Sequence, residues 1–308
     1  MDYSDAIAAM FQPSPEGAIA SPTEDASPAR RFRDAIEPIA MHAVWSRATN
    51  ESLAGLGLNF LSGYVWGRAA ALGEPEPGAV VSSFAVFEPA MIQGVYNEGR
   101  EACDRETLLA TRTESTVASL TEVFGRAKRN AGVSGDLEGV ANALQSAVEA
   151  GDGTGRPLYS GLMSRPWPGS AIGRLWHASE IAREHRGDSH VAVCVERGLG
   201  PIEMNVLTEL WVGMPLGSYT ASRGWSPESI AEAADGLRGR GLLDGDQLSA
   251  EGQAFRQDIE AATDRLEQPI IDAFGGDFDA VVDQLAMWSE ECIAAEAFPP
   301  DVFKRAAG

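Results

Sequence analysis

Residues 226–252, SPESIAEAADGLRGRGLLDGDQLSAEG, decide how this chain is read. Ser226 is an N-cap, Pro227 takes the first helical position, and Ile230, Ala233, Ala234 and Leu237 recur at helical spacing as a buried stripe. The helix stops at Gly241, Gly245-Asp246 is a tight turn signal, and Leu248-Ser249-Ala250-Glu251 opens a long helix. Between the two helices there is room for a small two-stranded wing.

Upstream, Ile202 to Val212 reads as an apolar helix and Leu216 to Ser222 as a short one, so residues 202–267 have the layout of a winged helix. The string LRGRGLLDGDQLSAEGQ is similar to the helix, wing and following helix of MarR-type winged-helix proteins. A DNA reader needs Lys, Arg, Asn or Gln on the outer face of its third helix and cations along the wing. That face carries Glu228, Ser229, Glu232 and Asp235, with Arg238 and Arg240 at its far end, and Asp244 and Asp246 flank the turn. Residues 203–308 hold 7 basic and 20 acidic side chains. DNA binding is therefore disfavoured by charge.

The whole chain repeats that balance, with 45 acidic against 24 basic residues and a net charge of -21 over 308 residues. Such a surface repels nucleic acid and anionic membranes. With 44% apolar and 22% charged residues the composition is that of a globular protein. Cys103, Cys194 and Cys292 are far apart, which indicates neither a disulfide framework nor a thiolate zinc site. No run of about 18 apolar residues and no secretory start is present, so no membrane partner and a cytoplasmic location are expected.

The predicted fold is mainly α: an N-terminal helical domain followed by the winged-helix-like module. Residues 1–28, acidic and interrupted by Pro13, Pro15, Pro22 and Pro28, read as a disordered tail, with Tyr3 to Phe11 able to form a docking helix. Residues 29–150 carry helical periodicity, broken at Glu74-Pro75-Glu76-Pro77-Gly78 and again at Pro89. Residues 151–170 read as a loop or lid, and 171–308 as a helical region containing the winged-helix segment.

Three of the chain's four histidines fall within fourteen residues, at His177, His185 and His190. Ala171 to His185 predicts one helix, Arg186-Gly187 its stop, and Asp188 the N-cap of the next. His177 and Glu184 are seven residues apart and share a face, so with His185 and His190 they form a candidate site for a divalent metal. A bound small molecule is the other occupant considered, and His42, Trp66, Arg174, Arg186 and Asp188 complete the candidate ligand-binding set. The competing reading is structural, with Asp188 capping and the arginines pairing with nearby acids. No H-E-x-x-H, nucleophile elbow, P-loop or dinucleotide fingerprint occurs, so no catalytic residue is assigned.

Glu37-Pro38 with His42, LSGYVWGRAAALG, RPLYSGLMSRPWP, RLWHASEIAREHRGDSHVAV and TASRGWSPESIAEA together resemble an actinobacterial family of helix-turn-helix-labelled proteins. The resemblance covers about residues 30–270. It implies a helical region fused to a winged helix and carries no catalytic residue onto this chain.

Three functions follow in order. The first is a small-molecule or metal-binding helical protein whose winged helix is a scaffold or a contact in a homodimer. The second is an effector-responsive regulator that binds DNA as a homodimer. The third is an enzyme using histidine and glutamate as acid and base.

Overall fold

A computed structural model describes residues 3–14, 16–20, 26–131 and 135–307. It is mainly α with one two-stranded sheet among the described residues, as the periodicity predicts. The first helix, α1 (Tyr3–Met10), lies within the segment expected to be disordered, and Tyr3 Oη donates to the Trp45 carbonyl at 2.7 Å. The body is then built from α2 (Pro28–Ala40), α3 (His42–Trp45), α4 (Arg47–Ala54), α5 (Phe60–Ala69), α6 (Pro77–Phe84), α7 (Pro89–Ala102), α8 (Arg105–Ala131) and α9 (Leu137–Glu149). Local chemistry sets these starts: Ser27, Ser46, Asn59 and Asp136 cap α2, α4, α5 and α9, and Pro77 and Pro89 sit in first turns.

The segment read as a loop contains α10 (Pro157–Met163). The next helix, α11 (Ala171–Glu196), corrects the expected stop at Arg186-Gly187, for it runs unbroken through both residues and through Asp188. A mid-helix glycine costs about 1 kcal/mol against alanine. Packing outweighs that cost here: α11 lies against α2, α9 and α10 and is gripped along 183–190 by ion pairs from both sides.

The winged helix follows as α12 (Pro201–Val212), a 3-10 turn at Thr220–Arg223, α13 (Pro227–Gly239), β1 (Leu243–Asp244), β2 (Gln247–Leu248) and α14 (Ala250–Ala273). The wing is antiparallel, with Leu243 opposite Leu248 and Asp244 opposite Gln247. Gly245 supplies the positive φ of +58° that the two-residue turn needs. Buried Glu209 fixes the helix-turn-helix corner by accepting from the backbone N–H groups of Gly217, Tyr219 and Thr220. Finally α15 (Phe278–Ala294) returns to pack on α2, and α16 (Val302–Ala307) lies against α12 and α2.

Two cores result. The large one joins α2 to α10 with Leu175–Ala182 of α11 and with the apolar residues of Ile270–Cys292. The smaller one is the winged helix, closed by Val193 and Cys194 from the far end of α11. One helix of 26 residues, about 39 Å long at 1.5 Å per residue, therefore belongs to both cores. Its charged middle, Arg183–His190, lies at their junction. The loop before α7 stitches the same junction: the Val86 carbonyl accepts from Asn205 Nδ2 at 2.7 Å and Trp225 Nε1 at 2.9 Å, and Glu88 N donates to the Arg223 carbonyl. Among the described residues no helix is long and apolar enough to cross a membrane.

Candidate functional site

The four histidines go to separate places. His42 is fully buried with Nε2 on Ser119 Oγ at 2.9 Å, and burial lowers its pKa to about 3. His177 stacks edge-on against Trp167, and burial, then Arg165 and Arg112, lowers it to about 3. His185 pairs through Nδ1 with Glu267 and meets the Tyr159 ring. His190 points between Cys194 and Thr263 and borders a cleft, where burial and the neighbouring Arg256 favour its neutral form.

The remaining predicted residues are also dispersed. Glu184 receives a two-pronged grip from Arg68, at 2.8 and 2.7 Å, and a bond from Arg183 at 3.1 Å. Trp66 is core, its Nε1 donating to the Cys103 carbonyl. Arg174 pairs with Glu138 at the surface. Asp188 caps α10 rather than its own helix, accepting from Leu158 N at 2.9 Å and Tyr159 N at 3.1 Å, while burial raises its carboxyl to about 7. His177, Glu184, His185 and His190 thus face four different partners, which corrects the expected convergence. Among the described residues no three His, Cys, Asp or Glu side chains come together to hold a metal ion.

What does converge is arginine. A cleft of about 170 Å³ opens where α2, α5 and α11 meet α12, the 3-10 turn and α14. Seven arginines line it: Arg30 and Arg33 from α2, Arg68 from α5, Arg183 and Arg186 from α11, Arg223 from the turn and Arg256 from α14. Two carboxylates, Glu37 and Glu260, share the lining, and Tyr64, Phe84, Phe87, Met204 and Tyr219 form its apolar walls. Gly187 is part of the lining, where α11 presents no side chain to the cleft.

The acids hold most of the arginines in place. Glu260 accepts from Arg186 at 2.5 Å, Arg256 at 2.9 Å and Arg30 at 3.4 Å. Burial opposes its ionisation, yet those three guanidinium groups hold its carboxyl well below the usual carboxylate range. Asp264 adds a partner to Arg186 at 2.8 Å, Asp34 lies beside Arg30 and Arg33, and Arg183 reaches Glu37 at 3.1 Å. Asp34, Glu184 and Asp264 supply further carboxylates behind the wall, and Glu267 adds to the negative field on Arg186. Among the described residues Arg223 has no carboxylate within ion-pair reach; it is held by rings, 4.2 Å from the Tyr219 centroid and 4.9 Å from Phe87. Its buried Nε and that of Arg256 have no hydrogen-bond partner.

Arg186 and His190 are the two sequence-predicted residues that border this cleft. The others were missed because each arginine read singly looks like a surface charge. Two signals were present: Arg30/Arg33 and Arg183/Arg186 are three apart, and only Lys128 and Lys304 among the 24 basic residues are lysine. Arginine's planar fork suits fixed, bidentate binding of carboxylates and phosphates.

The outer face of α13 is the opposite case. Glu228, Glu232 and Asp235 are exposed, while Arg238 is tied to Asp235 at 2.6 Å, Asp246 at 2.8 Å and the Gly245 carbonyl at 2.9 Å. Arg240 turns back to the carbonyls of Arg197 and Gly198 and to Glu203.

With this geometry in place, comparison of the chain with known families gives one match: a family described as a helix-turn-helix family, over residues 29–299. No curated protein and no solved structure matches.

Proposed function

The chain belongs to this helix-turn-helix family, and from that premise we propose that it binds a small anionic molecule in the arginine cleft, with the winged helix serving as one wall of the site. The observation that carries the reading is seven arginines gathered in one cleft of a chain whose net charge is -21. Burying that many cations costs free energy unless anions compensate, and among the described residues Arg223 has no carboxylate within ion-pair reach. A carboxylate or phosphate between Arg223 and Arg256 completes the set, and the aromatic wall accommodates an apolar part of the same molecule. Metal binding has no comparable support.

Calorimetric titration with pyrophosphate and, separately, citrate at low salt tests the reading. Binding of either is expected, weakened about 10- to 100-fold in Arg223→Met, as for loss of a hydrogen bond to a charged group. Absence of heat and of thermal stabilisation at millimolar concentrations of both would refute it. The two anions separate phosphate from carboxylate preference.

A second reading is an effector-responsive DNA regulator. Family membership and a cleft shared by body and winged helix favour it, since a ligand there touches both. The acidic outer face of α13 opposes it. Retention of genomic fragments at about 50 mM salt, where electrostatic binding is strong, would establish it, and failure to retain any would remove it.

A further inference from the structure

We propose that Val302–Ala307 is a displaceable occupant of the arginine cleft, and that the Arg30–Arg33 edge it covers is where the ligand's terminal oxygens bind. This rests on the anion-binding reading above. Ala306 and Ala307 form part of the cleft lining. The Ala306 carbonyl accepts from Arg30 Nη2 at 2.9 Å, and the Arg305 carbonyl accepts from Arg33 Nη1 at 2.5 Å. Two successive peptide oxygens thus occupy guanidinium donors that a carboxylate or phosphate would satisfy better. A charged acceptor on such a donor makes a bond roughly twice as strong as a neutral one.

The segment is also held lightly. It is one short helix with no fully buried side chain. Besides those two bonds, its grip on the body includes Phe303, Ala306 and Ala307 against the Trp211–Met214 patch, Arg305 on Glu290 at 2.7 Å, Lys304 on the Met10 carbonyl at 2.9 Å, and Val302 N on Ser14 Oγ at 2.9 Å. Few buried contacts mean a low free energy of local opening. The ligand's apparent affinity is then its intrinsic affinity multiplied by the fraction of open molecules. Anything that loosens the segment strengthens binding, and binding frees the segment.

The test uses the full chain and inorganic pyrophosphate, with calorimetry for affinity and amide exchange for residues 302–307. Phe303→Ala, which lies outside the cleft, is expected to bind about tenfold more tightly than the unaltered chain. Saturating pyrophosphate is expected to speed exchange across 302–307 in the unaltered chain. Ala306→Glu, which places a carboxylate in the cleft from the segment itself, is expected to weaken binding at least fivefold. Equal affinity in all three chains, with exchange of 302–307 unchanged or slowed, would overturn the proposal. If that affinity still falls in Arg256→Met, the cleft reading survives it. If no chain binds although exchange shows the segment free in Phe303→Ala, both fall together.

Discussion

The wing face and the cleft are two surfaces of the same winged helix, and they treat arginine in opposite ways. At the wing, Arg238 is surrounded by Asp235, Asp246 and a carbonyl, all at a solvated surface. In the cleft, buried Arg30 and Arg256 share Glu260 with Arg186, and Arg223 pairs with no acid among the described residues. A basic residue therefore marks a functional surface only through its balance with neighbouring acids. By that measure the outer face of α13 is dominated by acids and the cleft by arginines.

Removing the shared acid tests this contrast most severely. Glu260→Ala leaves Arg30, Arg186 and Arg256 short of their common partner, and unfolding free energy is expected to fall by about 3–5 kcal/mol in dilute buffer. Added pyrophosphate should recover part of the loss in denaturant titrations. A loss below about 1 kcal/mol would mean that the cluster is solvated like the wing.

The contrast is cleanest above pH 6.5, because the body weakens in acid. His42 and His177 are neutral in the fold, with pKa values of about 3 set mainly by burial. Unfolded histidine titrates near 6.5, so between those values the unfolded chain binds the proton and stability is lost as pH falls. Each is expected to cost up to about 2 kcal/mol between pH 6.5 and 5, readable as falling midpoints in urea. A flat profile over that range would contradict the burial of both rings.

Arg223→Met should separate binding from stability. Because no acid is stranded, unfolding free energy should change by less than about 1 kcal/mol while anion affinity drops as above. At the weak end, Asp246→Ala removes one partner from an exposed pair and should shift stability by no more than about 0.5 kcal/mol. If instead it creates measurable DNA retention, the wing is a masked reader and the contrast is broken.

The candidate metal site was only as good as the helix boundary it rested on. Arg186-Gly187 looked like a stop because, read locally, Gly ends helices and Asp188 caps them. In the fold Asp188 caps α10, about thirty positions away in sequence, and Gly187 lines the cleft.

The sequence by itself determined the mainly helical class, the wing with its glycine turn, and the acidic outer face of α13. Caps, helical stripes and turn residues act within a few positions of one another, so a linear reading captures them. Only the tertiary structure decided the cleft. Its arginines stand at positions 30, 33, 68, 183, 186, 223 and 256, and beyond the pairs 30/33 and 183/186 nothing local links them. Their meeting depends on one unbroken helix joining two cores, and on which buried acid each guanidinium reaches once both cores have closed.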